Sequence, residues 1–347
     1  MARIRFSLVV SCGSYADSGG VDRDGTMTLA ETGRGVRVRG MSRWFMVLVC
    51  LLAPVGVRAQ MMQGIVNGKS PAAGGFVGPL DVVTSATPLF CVSFRPCSGA
   101  IAASGTQRMF ALTAGATSCD FLATNTAPFY GNTANCGGAN GQTLAVFCSG
   151  GCVVQAGYDQ LNVATFNNFL AATDPTFTTA GGPSTGKPAM TCNSATPQYL
   201  GATVPGTGQP YSVSSVVNRT SGFTSQLPAG FTMTGSPFTQ MSFNTSPNGV
   251  FLYAGNISPI ASETDNVWHT FIGVYSSASS TLKVDAAAPV TGDPGTSVFG
   301  GSSMYTCGGP ATGVGSISES ELIAFSGAMS SGDQTALQSN QHTFFGF

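Results

Sequence analysis

Carboxylates carry most of the chemistry this chain has to offer, because it has few other reactive groups. Its 347 residues include only 15 Asp and Glu, and two His. Glu319 and Glu321 stand two apart in Ile317-Ser318-Glu319-Ser320-Glu321-Leu322. At the strand period of two they share a face. Glu263 and Asp265 flank Thr264 just ahead of Trp268. Two carboxyl groups held close together can divide their labour, one attacking and one giving up a proton. Glu319, Glu321 and Glu263 are therefore the catalytic candidates. The competing readings are a solvated strand face for Glu319 and Glu321, and a polar turn for Glu263 and Asp265. Asp159 ends an apolar run in Cys148-Ser-Gly-Gly-Cys152-Val-Val-Gln-Ala-Gly-Tyr158-Asp159-Gln160. An acid so placed either braces the adjoining loop backbone or meets a ligand. Tyr158, Gln160, Asn168 and Trp268 complete the ligand-contact candidates, and Trp268 reads equally as core packing. His269 and His342 lie too far apart in sequence to suggest metal ligation by spacing. A satisfied structural role is expected for both, and neither a metal nor another cofactor is expected.

The elements that must position these residues are strands. Charged residues make up only 8% of the chain while glycine numbers 46, and long helices need charged side chains on their wet face. Short apolar runs broken by Gly, Pro, Ser and Asn recur instead, the mark of an all-β chain. Leu144–Phe147 and Val153–Tyr158 are expected as strands around the Cys148–Cys152 loop, and 162–172 as a short helix or loop. Residues 173–186 read as a linker-like loop. In the second half Tyr211–Val217, Phe231–Thr234, Gln240–Phe243, Val250–Tyr253, Val267–Tyr275, Thr281–Asp285 and Ser316–Phe325 follow at regular spacing. This series predicts an antiparallel sandwich. One helix is expected over Ser330–Thr343, with Ser330 as its cap, Asp333 in its first turn and Leu337 as a buried contact.

The start of the chain reads as an export signal. Met41-Ser-Arg43 is followed by an apolar run from Trp44 to Ala53, and Val57-Arg58-Ala59 offers small residues before a cut at Gln60. The run is about half of the roughly 20 residues that a membrane-spanning helix needs. Residues 1–40 then read as an over-extended start or a disordered leader, 60–78 as a flexible mature N-terminus, and 79–347 as one domain whose part 79–180 is cysteine-stapled. The expected location is outside the cell or in the periplasm, with no transmembrane segment left after cleavage. From residue 60 on there are six basic and eleven acidic residues, a net charge of −5, with no basic cluster. Nucleic acid is therefore not an expected partner. Eight cysteines remain, an even number that favours disulfides in an exported chain. The close pairs Cys91–Cys97 and Cys148–Cys152 lead, followed by Cys119–Cys136, which leaves Cys192 with Cys307. Spacing alone does not fix this connectivity.

Several pieces point to one family. Trp268-His269-Thr270 opens a strand, the hairpin Ser279–Asp285 follows, and Ile317–Phe325 leads into Met329-Ser330-Ser331-Gly332-Asp333-Gln334. This order resembles the C-terminal half of concanavalin A-like or laminin G-like jelly rolls, which end in a covering strand and a small helix. Thr185-Gly186-Lys187-Pro188-Ala189 looks like the entry to the first long strand of such domains. Phe147-Cys148, Cys152 and Tyr158-Asp159-Gln160 resemble the catalytic domain of the α-L-arabinofuranosidase B family. Gly78-Pro79-Leu80-Asp81-Val82 with Ala100–Ala114 looks like that family's N-terminal segment, so the resemblance takes in roughly 78–347. It implies the jelly-roll fold and a carbohydrate ligand.

The departures fall on the residues that carry the family's reaction. Leu80 stands at the family's first cysteine position, and Leu161-Asn162 and Asn168-Phe169 replace a Ser-Gly turn and an Asn-His. The family's acid/base Asp follows a Gly-Gly pair, whereas here Gly308-Gly309 precedes Pro310. Its nucleophilic Glu lies beyond adjacent cysteines, but this chain has no adjacent cysteines and no acid across residues 175–262. Retaining glycoside hydrolysis needs two carboxyl groups about 5–5.5 Å apart, and both inherited ones are missing. Gly181–Lys187 resembles a phosphate-binding loop, but Pro188 replaces its Ser/Thr. Asn218, Asn244 and Asn256 head glycosylation sequons, meaningful in a eukaryotic host. The reading that follows is a secreted jelly-roll protein that binds glycan or polysaccharide through a degenerate hydrolase frame. The alternatives are an active α-L-arabinofuranosidase with relocated acids, and a surface adhesion module.

Overall fold

The computed structural model describes residues 75–347 except 168–173, 194–197, 220–227, 234–238, 246–247, 301–302 and 308–315, together with 27–29 and 36–38. The expected export signal, most of the expected leader, Asn168 and residues 308–310 lie outside the described residues. Met27–Leu29 and Val36–Val38 pair antiparallel as a small unit of their own.

The rest is an antiparallel β-sandwich with one long helix at its end. One sheet runs Thr87–Ser93, Ser316–Ser326, Tyr211–Arg219, Trp268–Tyr275, Ser280–Val284, Val290–Gly292. The other starts at Ile257–Ala261 and passes through Asn248–Tyr253, Gln240–Thr245, Pro228–Met233, Ser303–Thr306 and Leu200–Thr203. It continues through Thr165–Asn167, Cys152–Tyr158, Arg108–Ala114 and Thr117–Ala123 to Tyr130–Ala134. Thr176–Thr178 and Ala189–Asn193 pair with each other and tie the two sheets together, the first pairing also with Cys152–Tyr158 and the second with Ser316–Ser326. Ser316–Ser326 is the hub. One of its edges lies along Tyr211–Arg219 and the other is shared end to end by Ala189–Asn193 and Thr87–Ser93.

Side chains alternate across these strands as their apolar spacing requires. Leu322 and Ala324 point into the core between the sheets with Phe90, Val213, Phe231 and Phe271. Ile323 and Phe325 point outward, where Ser331–Phe345 covers them with Leu337. The helix begins where expected. Ser330 accepts from the Asp333 N–H, and Gly346 closes it in the left-handed region. Asp333 also reaches back, accepting from the backbone N–H of Thr84 at 3.0 Å and of Ser85 at 2.6 Å.

Two expectations are corrected. Leu144–Phe147 is a short helix, not a strand, because the Thr143 hydroxyl caps it by accepting from the Val146 N–H. The stretch 173–186 contains the strand Thr176–Thr178, whose Phe177 is buried in the core. All four expected disulfides are present: Cys91–Cys97, Cys119–Cys136, Cys148–Cys152 and Cys192–Cys307. Among the described residues no helix is long and apolar enough to cross a membrane.

Candidate functional site

The two glutamates on the hub strand do not share a face. Val216 lies opposite Glu321 and Val217 opposite Glu319, so Ser320 is an extra residue in the ladder. Such a bulge reverses the alternation beyond it. Glu321 points under the terminal helix. Its Oε2 accepts from Arg95 Nε at 2.6 Å and from the Ser93 hydroxyl at 2.9 Å. Its Oε1 accepts from Arg95 Nη2 at 3.0 Å and from Gln341 at 2.9 Å. Both side chains of this ion pair are fully buried, and the rings of Phe344 and Phe345 lie against the guanidinium at 4.8 and 5.1 Å.

Glu319 points the other way, into the sandwich beside an internal cavity of about 20 Å³, room for about one water molecule. Its Oε2 meets the Thr306 hydroxyl, and that hydroxyl also meets the Gly230 carbonyl at 2.7 Å. A hydroxyl has a single hydrogen. The Gly230 oxygen can only accept, so Thr306 cannot serve it and Glu319 at once, and a protonated Glu319 resolves the conflict by donating to Thr306. Glu319 is thus held as a neutral acid, and its Oε1 has no hydrogen-bond partner. Burial pushes it up to about 8, against the smaller pull of the Thr306 hydroxyl and the Cys307 N–H.

Glu263 and Asp265 converge on Arg219, which contacts both carboxylates. Arg219 is itself buried, with the ring of Phe243 at 4.8 Å. The Glu263 side chain is completely enclosed. Burial raises its pKa, and Asp265 adds to the rise while Arg219 opposes it. His269 and His342 meet on one carboxylate, Asp285, at 2.6 and 3.2 Å. Burial would lower His269, but its bonds to Asp285 and the Thr264 carbonyl prevail and leave it raised. Asp285 falls well below the usual carboxylate range: burial opposes the shift, and the bonds from the two histidines and from the Thr270 N–H outweigh it. Among the described residues no group of three or more His, Cys, Asp or Glu is arranged to hold a metal ion.

Asp159 braces the backbone. It is buried and accepts from the N–H groups of Cys91, Leu161, Val163 and Ala164 at 2.8, 3.0, 2.7 and 3.3 Å. Gln160 does the same for the Cys91–Cys97 loop, accepting from Cys97 N and donating to the Ser93 and Arg95 carbonyls. Trp268 is buried against Ala189, Val216 and Phe345. Among the described residues expected as ligand contacts, Tyr158 and Asp159 line an open hollow, Asp159 with its carboxylate already taken by backbone N–H groups.

Tyr158 stands between two hollows on the outer side of the N-terminal strands. One, of about 330 Å³, is lined by Arg108, Ser118, Asp120, Asn135 and Gln155 as well as Tyr158. The other, of about 260 Å³, is bounded by Gln107, Arg108, Tyr158, Asn162 and Val163. Arg108 lies 3.7 Å above the Tyr158 ring. Asp120 organises the group, its Oδ2 forming an ion pair with Arg108 Nε at 2.9 Å and accepting from Asn135 at 2.6 Å, and its Oδ1 accepting from Arg108 Nη2 at 3.0 Å and the Tyr158 hydroxyl at 2.9 Å. Burial and the bond to Asp120 push the Tyr158 phenol up to about 12. Sequence reading missed Arg108, Asp120 and Asp285. The available signal was scarcity, since each of the three arginines after residue 60 ends on an acid.

No family model and no curated protein matches this chain. Solved structures do. A GH54 α-L-arabinofuranosidase soaked with a cyclic sulfate inhibitor aligns at a TM-score of 0.55 and 13% identity, over 76% of this chain and 64% of the other. A mutant GH54 α-L-arabinofuranosidase soaked with 4-nitrophenyl α-L-arabinofuranoside aligns over the same shares at 0.51. The chain thus spans less than two thirds of those enzymes, and at this identity the likeness is one of fold.

Proposed function

We propose that this is a secreted carbohydrate-binding protein that keeps the arabinofuranosidase-like sandwich without its hydrolytic pair. One observation carries the reading: the three candidate glutamates are enclosed and committed to other partners. Glu321 is locked to Arg95, Glu263 is enclosed beside Arg219, and Glu319 is neutral inside the sandwich. A retaining glycosidase needs one carboxylate free to attack and one acid free to donate, both facing the sugar. The four disulfides suit an oxidising compartment and support export.

The test is direct. Purified protein incubated with 4-nitrophenyl α-L-arabinofuranoside and with arabinan is expected to release no nitrophenol or arabinose above a boiled control, while retaining an immobilised arabinan. Turnover that disappears in Glu263→Gln would overturn the reading in favour of an active hydrolase built on Glu263 and Asp265.

A further inference from the structure

We propose that the two hollows flanking Tyr158 form one continuous site for an uncharged oligosaccharide, with at least one sugar unit on each side of the Arg108–Tyr158 wall. The proposal rests on the carbohydrate-binding reading and adds the place and the ligand class.

The first argument is rigidity. All three hydrogen bonds into Asp120, and its ion pair with Arg108, come from groups that line the same hollow. Both Asp120 oxygens are already satisfied, so Asp120 sets its neighbours in place and leaves contact with a ligand to them. Pre-set polar groups in a concavity bind without the cost of ordering them first.

The second argument is the set of donors and acceptors left over. Arg108 directs Nε and Nη2 at Asp120 and Tyr158, and its side chain remains 47% exposed. The two hydrogens on Nη1 have no partner among the described residues, and a guanidinium has five N–H donors in a planar fork. Asn135 uses its amide nitrogen on Asp120, which leaves its carbonyl oxygen for a donor. Gln155 is exposed at the rim of the same hollow. A paired donor with amide oxygens beside it matches neighbouring hydroxyl groups, each of which gives one hydrogen and accepts others. In the second hollow Gln107 and Asn162 hold each other, Nε2 to Oδ1 at 3.0 Å and Nδ2 to Oε1 at 3.3 Å. Asn162 keeps a second N–H, while the second N–H of Gln107 goes to the Arg108 carbonyl at 3.3 Å. Val163 beside them is 48% exposed, an apolar surface for the C–H face of a sugar ring.

The third argument is charge. Arg108 is the cation of the site, and Asp120 neutralises it at contact distance. A carboxylate-bearing sugar would meet a guanidinium whose charge is already matched, with Asp120 repelling it from behind. A neutral sugar pays no such penalty. The hollows adjoin through Arg108 and Tyr158, so a chain of sugars gains contacts in both that a single sugar cannot.

Calorimetric titration of the full chain tests this with arabinose, arabinotriose and trigalacturonic acid as probes. Gln155→Trp would fill the first hollow from an exposed strand position, and Arg108→Ala would remove the fork. Circular dichroism and melting temperature verify that each variant folds. Arabinotriose is expected to bind at least tenfold more tightly than arabinose and than the triuronate, with at least a tenfold loss in both variants. Unchanged arabinotriose binding in folded Gln155→Trp would overturn the location and leave carbohydrate binding standing. Tighter binding of the triuronate would overturn the ligand class. Failure of immobilised arabinan and of all three probes to bind would overturn this proposal together with the reading it rests on.

Discussion

Glu319 and Glu321 sit two residues apart on one strand, both out of contact with water, and they live under opposite electrical rules. Glu321 is an anion because a guanidinium, a hydroxyl and an amide donate to it. Glu319 has no cation, and burial favours its protonated form, which can donate to Thr306. A buried carboxyl group has just these two solutions, partner or neutralise. The Ser320 bulge delivers one residue to each side of the sheet and so assigns the solutions. Burial alone therefore says little about a glutamate's charge; the hydrogens available around it decide.

The largest expected effect breaks the charged half. Glu321→Ala leaves Arg95 buried without its partner and is expected to cost about 3–5 kcal/mol, seen as a lower urea midpoint. Replacing both, Arg95→Met with Glu321→Leu, is expected to cost less than the single change, because no charge is then stranded. Equal losses would show that the pair acts through packing alone.

Next comes the neutral half, read through pH. The carboxyl of Glu319 titrates at about 8 in the folded chain, against an ordinary value of 4.5. Between these values the unfolded chain has released the proton and the folded chain still holds it. Rising pH therefore favours unfolding across that window. The contribution is complete below the ordinary value, is lost up to about 8, and is level above. Glu319→Gln, whose amide can donate to Thr306 as the acid does, is expected to lack this slope, so that the stability of wild type minus that of the variant falls as pH rises from 5 to 8. A difference that stays flat from pH 5 to 8 would mean that Glu319 is already ionised across that range.

A smaller effect is expected at Asp159. Asn in its place keeps one accepting oxygen and turns an amide toward backbone N–H groups, at a cost of about 1–3 kcal/mol. The signature is faster hydrogen exchange at Cys91, Val163 and Ala164. Smallest is Gln341→Ala, which removes one of the four donors to Glu321 and is expected to cost about 1 kcal/mol with no change in pH dependence.

The strands of the second half, the capped terminal helix and the three close cysteine pairs were legible because each depends on local spacing, whereas Cys192–Cys307, 115 residues apart, followed by elimination. The failures came where one residue or a distant partner decides. Period two put Glu319 and Glu321 together, and a single bulged Ser320 undid it; nothing in Ser-Glu-Ser-Glu marks which serine is extra. Leu144–Phe147 is apolar enough for a strand, and its direction is set by Thr143. Asp285 ends an alternating run, yet its partner His342 is 57 residues further on. Tyr158 was placed in the ligand-contact set, but its neighbours Arg108 and Asp120 were not, since a curled sheet brings them together from separate strands.

The hub strand has a consequence for assembly in time. Ser316–Ser326 is among the last segments of this sequence, yet it lies between strands that all precede it. Among the described residues Thr87–Ser93 has no other strand neighbour, and the helix residue Asp333 holds the Thr84–Ser85 backbone from 248 and 249 positions away. Such distant pairings make for slow folding. The first strand of the sandwich waits with open edges until Ser316–Ser326 is available, so the sheet closes from its middle only late in assembly.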